Sequence, residues 1–87
     1  MNLSGNRITD IGAKALAGSK NFGQLKILNL NFNVIGDLGA RAIAKSIHLT
    51  NLKSLKLGQN RVGEIGAKAL KSSDTLVNLT HPIFGFY

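Results

Sequence analysis

The chain of 87 residues allows one small domain with a correspondingly small core. It contains no cysteine, which excludes disulfides, thiolate metal sites and thiol nucleophiles and fits a reducing compartment. Eleven basic residues against four acidic ones give a net charge of +7, which favours acidic partners.

The sequence predicts neither a membrane segment nor an export signal. No stretch approaches the roughly 20 apolar residues that a bilayer-spanning helix needs. The N-terminus, from Met1 to Asn6, has no charged region followed by an apolar core, as a signal peptide would. We therefore expect no membrane partner and an intracellular location.

A step of 27 residues relates three copies of one pattern along the chain. Eight columns of matching residues follow this step, among them a leucine column and an asparagine column. The leucines are Leu3, Leu30 and Leu57, and the asparagines are Asn6, Asn33 and Asn60. So many agreeing columns indicate a repeat architecture.

Each copy predicts a short strand followed by a helix. Alternating apolar positions predict strands near residues 2–5, 27–31 and 54–58. Leucine and alanine on one stripe, with lysine or arginine on the other, predict amphipathic helices near residues 10–19, 37–47 and 64–73. An acidic residue stands at each predicted helix start, where the helix dipole favours negative charge. These acids are Asp10, Asp37 and Glu64.

A glycine recurs near the start of each predicted helix, at Gly12, Gly39 and Gly66. Glycine inside a helix costs about 1 kcal/mol relative to alanine. Its return in every copy predicts that the helix packs so closely on the strand that a side chain would not fit.

The spacing Leu-x-x-Leu-x-Leu-x-x-Asn-x-Ile, followed by Gly-Ala and a helix, resembles the leucine-rich repeat of the ribonuclease-inhibitor type. The resemblance covers residues 1–80 and implies an α/β fold. That fold is a curved solenoid of about three repeats of 27 residues, with parallel strands on the concave side and helices on the convex side. Short repeats, Gly-Ala helices and the lack of cysteine are more similar to bacterial effectors of the Legionella type than to the mammalian inhibitor.

The asparagine column predicts a structural ladder. A buried asparagine at a chain turn can satisfy backbone groups that would otherwise lack partners, because its amide both donates and accepts hydrogen bonds. Stacked copies would place Asn6, Asn33 and Asn60 in line.

The pattern fails at both ends of the chain. No capping segment precedes the first predicted strand, and Pro82 and Phe84 fall where core leucines stand in the earlier copies. We assign residues 1–80 to the repeat domain and interpret residues 81–87 as a degenerate last strand or a C-terminal cap. Because an uncapped end exposes a sheet edge and apolar interior, end-to-end self-association is also expected.

Residues between the core leucines are predicted to face the concave side, with the next residues at its rim. Phe32 stands out, because its column holds small or polar residues in the other full copies and exposed aromatics are enriched at interfaces. The alternative is that Phe32 packs against a neighbouring loop. The predicted partner-binding residues are Ile27, Asn29, Asn31, Phe32, Ser54, Lys56, Gln59, Phe84, Phe86 and Tyr87.

The basic helix column of Lys14, Arg41 and Lys68 is interpreted as a solvated outer face. A nucleic-acid site would need stacking aromatics or a known module in addition to charge. The charge by itself therefore gives that function little support.

No residue constellation predicts catalysis, a metal or a cofactor. His48 and His81 lie 33 residues apart without a spaced third ligand, and the serines have no nucleophile-elbow context. The acidic residues stand mainly at helix starts. We therefore expect a non-enzyme without cofactors.

The leading hypothesis is a protein-interaction module that binds one partner protein through its strand face and rim. The resemblance suggests a bacterial effector, located in the bacterial cytoplasm or in a host cytoplasm after secretion. Inhibition of a partner enzyme with an acidic surface is a special case. Two alternatives stay open: an electrostatic binder of nucleic acid or another acidic surface, and a structural fragment of a longer repeat protein.

Overall fold

The computed structural model describes residues 1–80. An α-helix follows each of the three predicted strand positions. A short 3₁₀-helix, Lys20–Phe22, comes after the first α-helix. The helices are α1 (Asp10–Ala17), α2 (Asp37–Ala44) and α3 (Glu64–Lys71), and the strands are β1 (Ile27–Asn29) and β2 (Ser54–Lys56).

The two strands pair in parallel, as the sequence predicts. Ile27 lies beside Ser54 and Asn29 beside Lys56, so the register equals the 27-residue step. The strand predicted at residues 2–5 is reduced to one isolated bridge between Asn2 and Asn29, which is also parallel. The other two strands end two residues earlier than predicted.

The strands end early because the chain turns directly after them. The backbone N–H of Asn31 donates to the side-chain oxygen of Asn29 at 3.0 Å instead of to a neighbouring strand. One residue later Phe32 takes a left-handed conformation, with φ at 59°. Regular strand geometry cannot continue through such a residue.

The helices start at the predicted acids but are shorter than predicted by two to three residues. Ser46 explains the end of α2, because its hydroxyl accepts from the backbone N–H groups of His48 and Leu49, both at 3.2 Å. A serine that bonds nearby backbone in this way competes with helix continuation. Ser73 accepts in the same manner from Thr75 and Leu76 after α3.

One aliphatic core joins strands and helices. Leu28 and Leu30 on the first strand segment, Leu55 and Leu57 on the second, and helix residues such as Ile43 are at most 3% exposed. The apolar side chains of the first copy are less well buried, because Leu3 and Ile8 are only partly buried.

Gly39 and Gly66 are explained by helix-to-helix packing, Gly12 is crowded only by Ile8 of its own repeat, and the expectation of contact with the strand is wrong. A Cβ on Gly39 would lie 2.7 Å from a carboxylate oxygen of Asp10 and 3.1 Å from the Cβ of Ala13, both on the neighbouring helix α1. It would also lie 2.7 Å from Ile35 in its own repeat. Such distances leave no room for a methyl group, so glycine allows α2 to pack against α1.

Asn33 hydrogen-bonds two neighbouring repeats together. Its side-chain oxygen accepts from the backbone N–H groups of Asn6 and Ile8, both at 2.9 Å. Its amide nitrogen donates to the carbonyls of Leu3 at 3.0 Å and Leu30 at 2.9 Å. Asn33 is 6% exposed, so backbone groups of the first repeat depend on this amide rather than on water.

Asn60 makes the same kind of contact one repeat further on. Its oxygen accepts from the N–H of Ile35 at 3.0 Å, and its nitrogen donates to the Leu30 carbonyl at 2.8 Å. Asn6 differs: its amide donates within its own repeat, to Leu3 and Ser4, and its side chain is exposed.

Acidic side chains hold the helix starts of the following repeat. One carboxylate oxygen of Asp10 accepts from the N–H of Gly36 at 2.6 Å and of Gly39 at 2.9 Å, at the start of α2. Asp37 repeats this at α3, with Gly63 at 2.7 Å and Gly66 at 2.9 Å. These N–H groups have no partner within their helix, so each acid caps its neighbour.

Serines hold the helix ends. The Ser46 hydroxyl donates to the carbonyl of Ala17, the last residue of α1, at 2.6 Å. The Ser73 hydroxyl donates to the carbonyl of Ala44, the last residue of α2. Together with the acids, these bonds give α2 side-chain partners from both neighbouring repeats.

We expect Asn33→Ala to destabilise the fold by about 1–3 kcal/mol, because it leaves buried backbone groups without partners. Asn6→Ala is the matched control and should cost far less, since the Asn6 side chain is exposed and bonds only within its own repeat. Urea denaturation monitored by circular dichroism measures both. Equal midpoints for Asn33→Ala and wild type would contradict the structural role.

Candidate partner-binding surface

Side chains of the two strands and the bridge form two rows, which we call the strand face. Asn2, Asn29 and Lys56 make one row, and Ile27 and Ser54 make the other. Neighbouring parallel strands lie about 4.8 Å apart, so the three-residue row spans about 10 Å. Ile27 is 56% exposed although it is aliphatic.

The strand face offers hydrogen-bond donors. The side-chain oxygen of Asn29 accepts from Asn31 N–H at 3.0 Å, and that of Asn31 accepts from Gly58 N–H at 2.7 Å. The amide nitrogens of Asn29 and Asn31 donate to no residue within 1–80. With the exposed ammonium of Lys56 beside them, the groups left for a partner are donors, which suit carboxylates and carbonyls.

Gly5, Phe32 and Gln59 form one column at the end of the strand face, which we call the rim. All three have left-handed backbones, with φ at 70°, 59° and 58°. The conformation costs a residue with a side chain about 1–2 kcal/mol relative to glycine. Phe32 is also 64% exposed, so its ring is not packed against a neighbouring loop.

The structure therefore brings together the predicted residues from both complete strands and the rim. Ile27, Phe32, Lys56 and Gln59 are exposed, and Asn29, Asn31 and Ser54 are partly buried. The remaining predicted partner-binding residues, Phe84, Phe86 and Tyr87, lie outside the described residues.

A second exposed row lies on the helices and was missed from the sequence. Ile11, Leu38 and Ile65 occupy one column, directly after the acids, and are 82%, 69% and 64% exposed. Helical spacing could have revealed them, because residues three positions later are the basic Lys14 and Arg41 rather than core residues. The solvated basic column thus has aliphatic neighbours.

A family model described as Leucine Rich repeat matches residues 2–17, 25–44 and 48–71, well over half of the chain. The chain belongs to the leucine-rich repeat family. Comparison with curated proteins and with solved structures gave no match.

Leucine-rich repeats generally mediate protein–protein interaction and are typically non-catalytic. Within residues 1–80, no helix has the length and hydropathy needed to cross a membrane. The same residues contain no cluster of three potential metal ligands among histidine and acidic side chains. The strand face with its rim is the candidate partner-binding surface of this leucine-rich repeat chain.

We expect Phe32→Gly to stabilise the isolated protein by about 0.5–1 kcal/mol, because glycine adopts the left-handed conformation without the steric cost of a side chain. Gln59→Gly is the matched control, since its φ differs by only 1°. Thermal unfolding measures both. Destabilisation by Phe32→Gly alone would mean that the ring stabilises the fold, contrary to a role in binding.

Proposed function

We propose that this leucine-rich repeat chain binds one partner protein through the strand face and rim. The single observation that carries the proposal is Phe32, a large aromatic side chain that is 64% exposed on a left-handed backbone. Folding does not account for such a residue, because glycine in the same column, at Gly5, adopts the same conformation without strain. Strained residues that persist in this way are concentrated at functional sites.

The partner's chemistry follows from the strand face. Two amide nitrogens and the Lys56 ammonium all donate, and Lys26 and Lys53 are exposed at the strand starts. A partner surface with carboxylates and free carbonyls complements this set. Phe32 then supplies an apolar anchor at the side of a polar contact.

The size of the surface requires more than the strands. A stable complex buries about 800 Å² on each partner, and a face about 10 Å wide is too small to supply that area. We propose that the repeats form a curved solenoid with the strand face on its concave side. On this proposal the rim and the segment from Phe84 to Tyr87 extend the contact.

The finer functional proposals follow the resemblance to the ribonuclease-inhibitor type and to short bacterial effectors. An acidic enzyme whose active site is covered by the strand face would be inhibited. An intracellular site of action, in a bacterium or in a host cell, is part of the same proposal. Identification of the partner by affinity purification and mass spectrometry tests all of these roles.

The alternatives predict different behaviour. Binding to nucleic acid through the basic side chains would weaken steeply with salt and would not depend on Phe32. A fragment of a longer repeat protein would instead need its neighbouring repeats for binding.

Phe32→Ala should weaken binding to the partner by about 2 kcal/mol or more, because the ring is the largest exposed apolar group of the strand face and rim. Lys56→Ala should cost less and mainly slow association. Lys20→Ala, on the 3₁₀-helix, is the control and should have little effect. Calorimetric titration with the purified partner gives the affinities. If Lys20→Ala matched Phe32→Ala, the proposed surface would be wrong.

We also propose end-to-end self-association at the first repeat. Leu3 and Ile8 are partly buried there, whereas Leu30 and Ile35, their counterparts one repeat on, are 0% exposed. A second copy that covers this end would complete the burial of the aliphatic core.

Light scattering across a range of concentrations should therefore show a dimer or larger species at high concentration, because association buries apolar surface. Dimer content should change little with salt. A monomer at every concentration would contradict the proposal for self-association and leave the strand-face proposal intact.

A further inference from the structure

A groove of about 440 Å³ lies between α1 and α2, on the helices rather than on the strands. We call it the helix groove. Its lining residues are Asp10, Ile11, Lys14, Leu38, Arg41, Ala42 and Lys45. This composition combines three cations with two exposed aliphatic side chains.

The groove is electropositive. Lys14, Arg41 and Lys45 are exposed, so their charges are available to a ligand. The single acid, Asp10, already accepts two backbone N–H groups of α2 with one oxygen, at 2.6 and 2.9 Å. Its charge is therefore directed to the helix start, and a ligand meets an excess of positive charge.

The groove also has an unexplained apolar component. Ile11 is 82% exposed and Leu38 is 69% exposed, so neither contributes much to the core. Adjacent exposed aliphatic side chains with a charged surround are typical of interaction sites. The row continues on α3 with Ile65 and Lys68, in the same columns.

The geometry points to the helix groove as a docking site for an acidic amphipathic helix of a partner protein. Aliphatic side chains of that helix would pack between Ile11 and Leu38. Its carboxylates would pair with Lys14, Arg41 and Lys45. This site is separate from the strand face and does not require the function proposed for it.

Charge complementarity favours an acidic protein segment over the other anionic partners. Single-stranded nucleic acids need aromatic stacking, and none of the seven lining residues, all within the described part of the chain, is aromatic. A bilayer surface is flat and would contact the tips of Ile11 and Leu38, leaving the concave space between them unfilled. A helix side chain fills that space.

The repeat spacing suggests how such a helix would lie. Packed helices are about 8–10 Å apart, so the aliphatic row advances by about that distance from one repeat to the next. An α-helix rises about 10.5 Å in seven residues. A partner helix that crosses α1, α2 and α3 would therefore present an aliphatic residue to each of them at every seventh position.

A suitable probe is a fluorescein-labelled peptide of glutamate and alanine with leucine at every seventh position. Fluorescence anisotropy measures its affinity for the full chain. The double variant Lys14→Gln/Arg41→Gln should bind at least tenfold more weakly, because it removes two of the three cations. The control Arg7→Gln/Lys20→Gln changes one arginine and one lysine that do not line the groove, also lowers the net charge by two, and should bind within twofold of wild type. Equal losses of peptide affinity in both double variants would mean that net charge alone drives binding, and would overturn the proposal.

A second matched pair of variants tests the apolar contact in the helix groove. Leu38 is 69% exposed and Val77, which does not line the groove, is 70% exposed. Leu38→Ser should weaken peptide binding about fivefold, and Val77→Ser should leave it unchanged. Loss of binding in Phe32→Ala would place the peptide on the strand face and overturn the proposal.

Vesicles containing phosphatidylserine test whether the helix groove binds an anionic membrane surface instead of an acidic peptide. The wild-type chain should bind the peptide and should not sediment with the vesicles at the same salt concentration. Sedimentation with vesicles and no peptide binding would assign the helix groove to a membrane surface, against the proposal.

Discussion

Backbone groups that one repeat cannot satisfy are hydrogen-bonded by side chains of a neighbouring repeat, and the rest of the structure depends on these bonds. Asn33 serves the turn of the first repeat, Asp10 the start of α2, and Ser46 the end of α1. A buried N–H or carbonyl without a partner costs about 1–3 kcal/mol. Stacking takes these groups away from water, and the side chains of the neighbouring repeat supply the partners that avoid this cost.

These hydrogen bonds between repeats also determine which charges the helices expose. Asp10 and Asp37 are directed to neighbouring helix starts, whereas Lys14, Arg41 and Lys68 on the same helices are exposed. The acids thus stabilise the stack while the cations face outward. A basic helix surface follows from the way the repeats are joined, and the proposed helix groove acquires its preference for an acidic partner from it.

The sequence predicted the parts of the fold that follow from periodicity. The 27-residue step predicted parallel strands in the observed register, and acids marked the helix starts correctly. It did not predict that Asp10 reaches α2, because single-chain periodicity does not show which repeat a side chain contacts. The serines at 46 and 73 carried the same step as the asparagines, but their role became visible only through the carbonyls of Ala17 and Ala44.

The rim column combines one backbone conformation with side chains of very different kinds. Gly5, Phe32 and Gln59 share one backbone conformation although their side chains have nothing in common. The conformation is therefore imposed by the strand-to-turn geometry of the repeat, and glycine would satisfy it at lowest cost. A phenylalanine there adds strain and an exposed ring without improving the fold. If the rim binds a partner as proposed, its side chains are free to vary with that partner, while the asparagine one residue later, at Asn33, is held by hydrogen bonds to the neighbouring repeat.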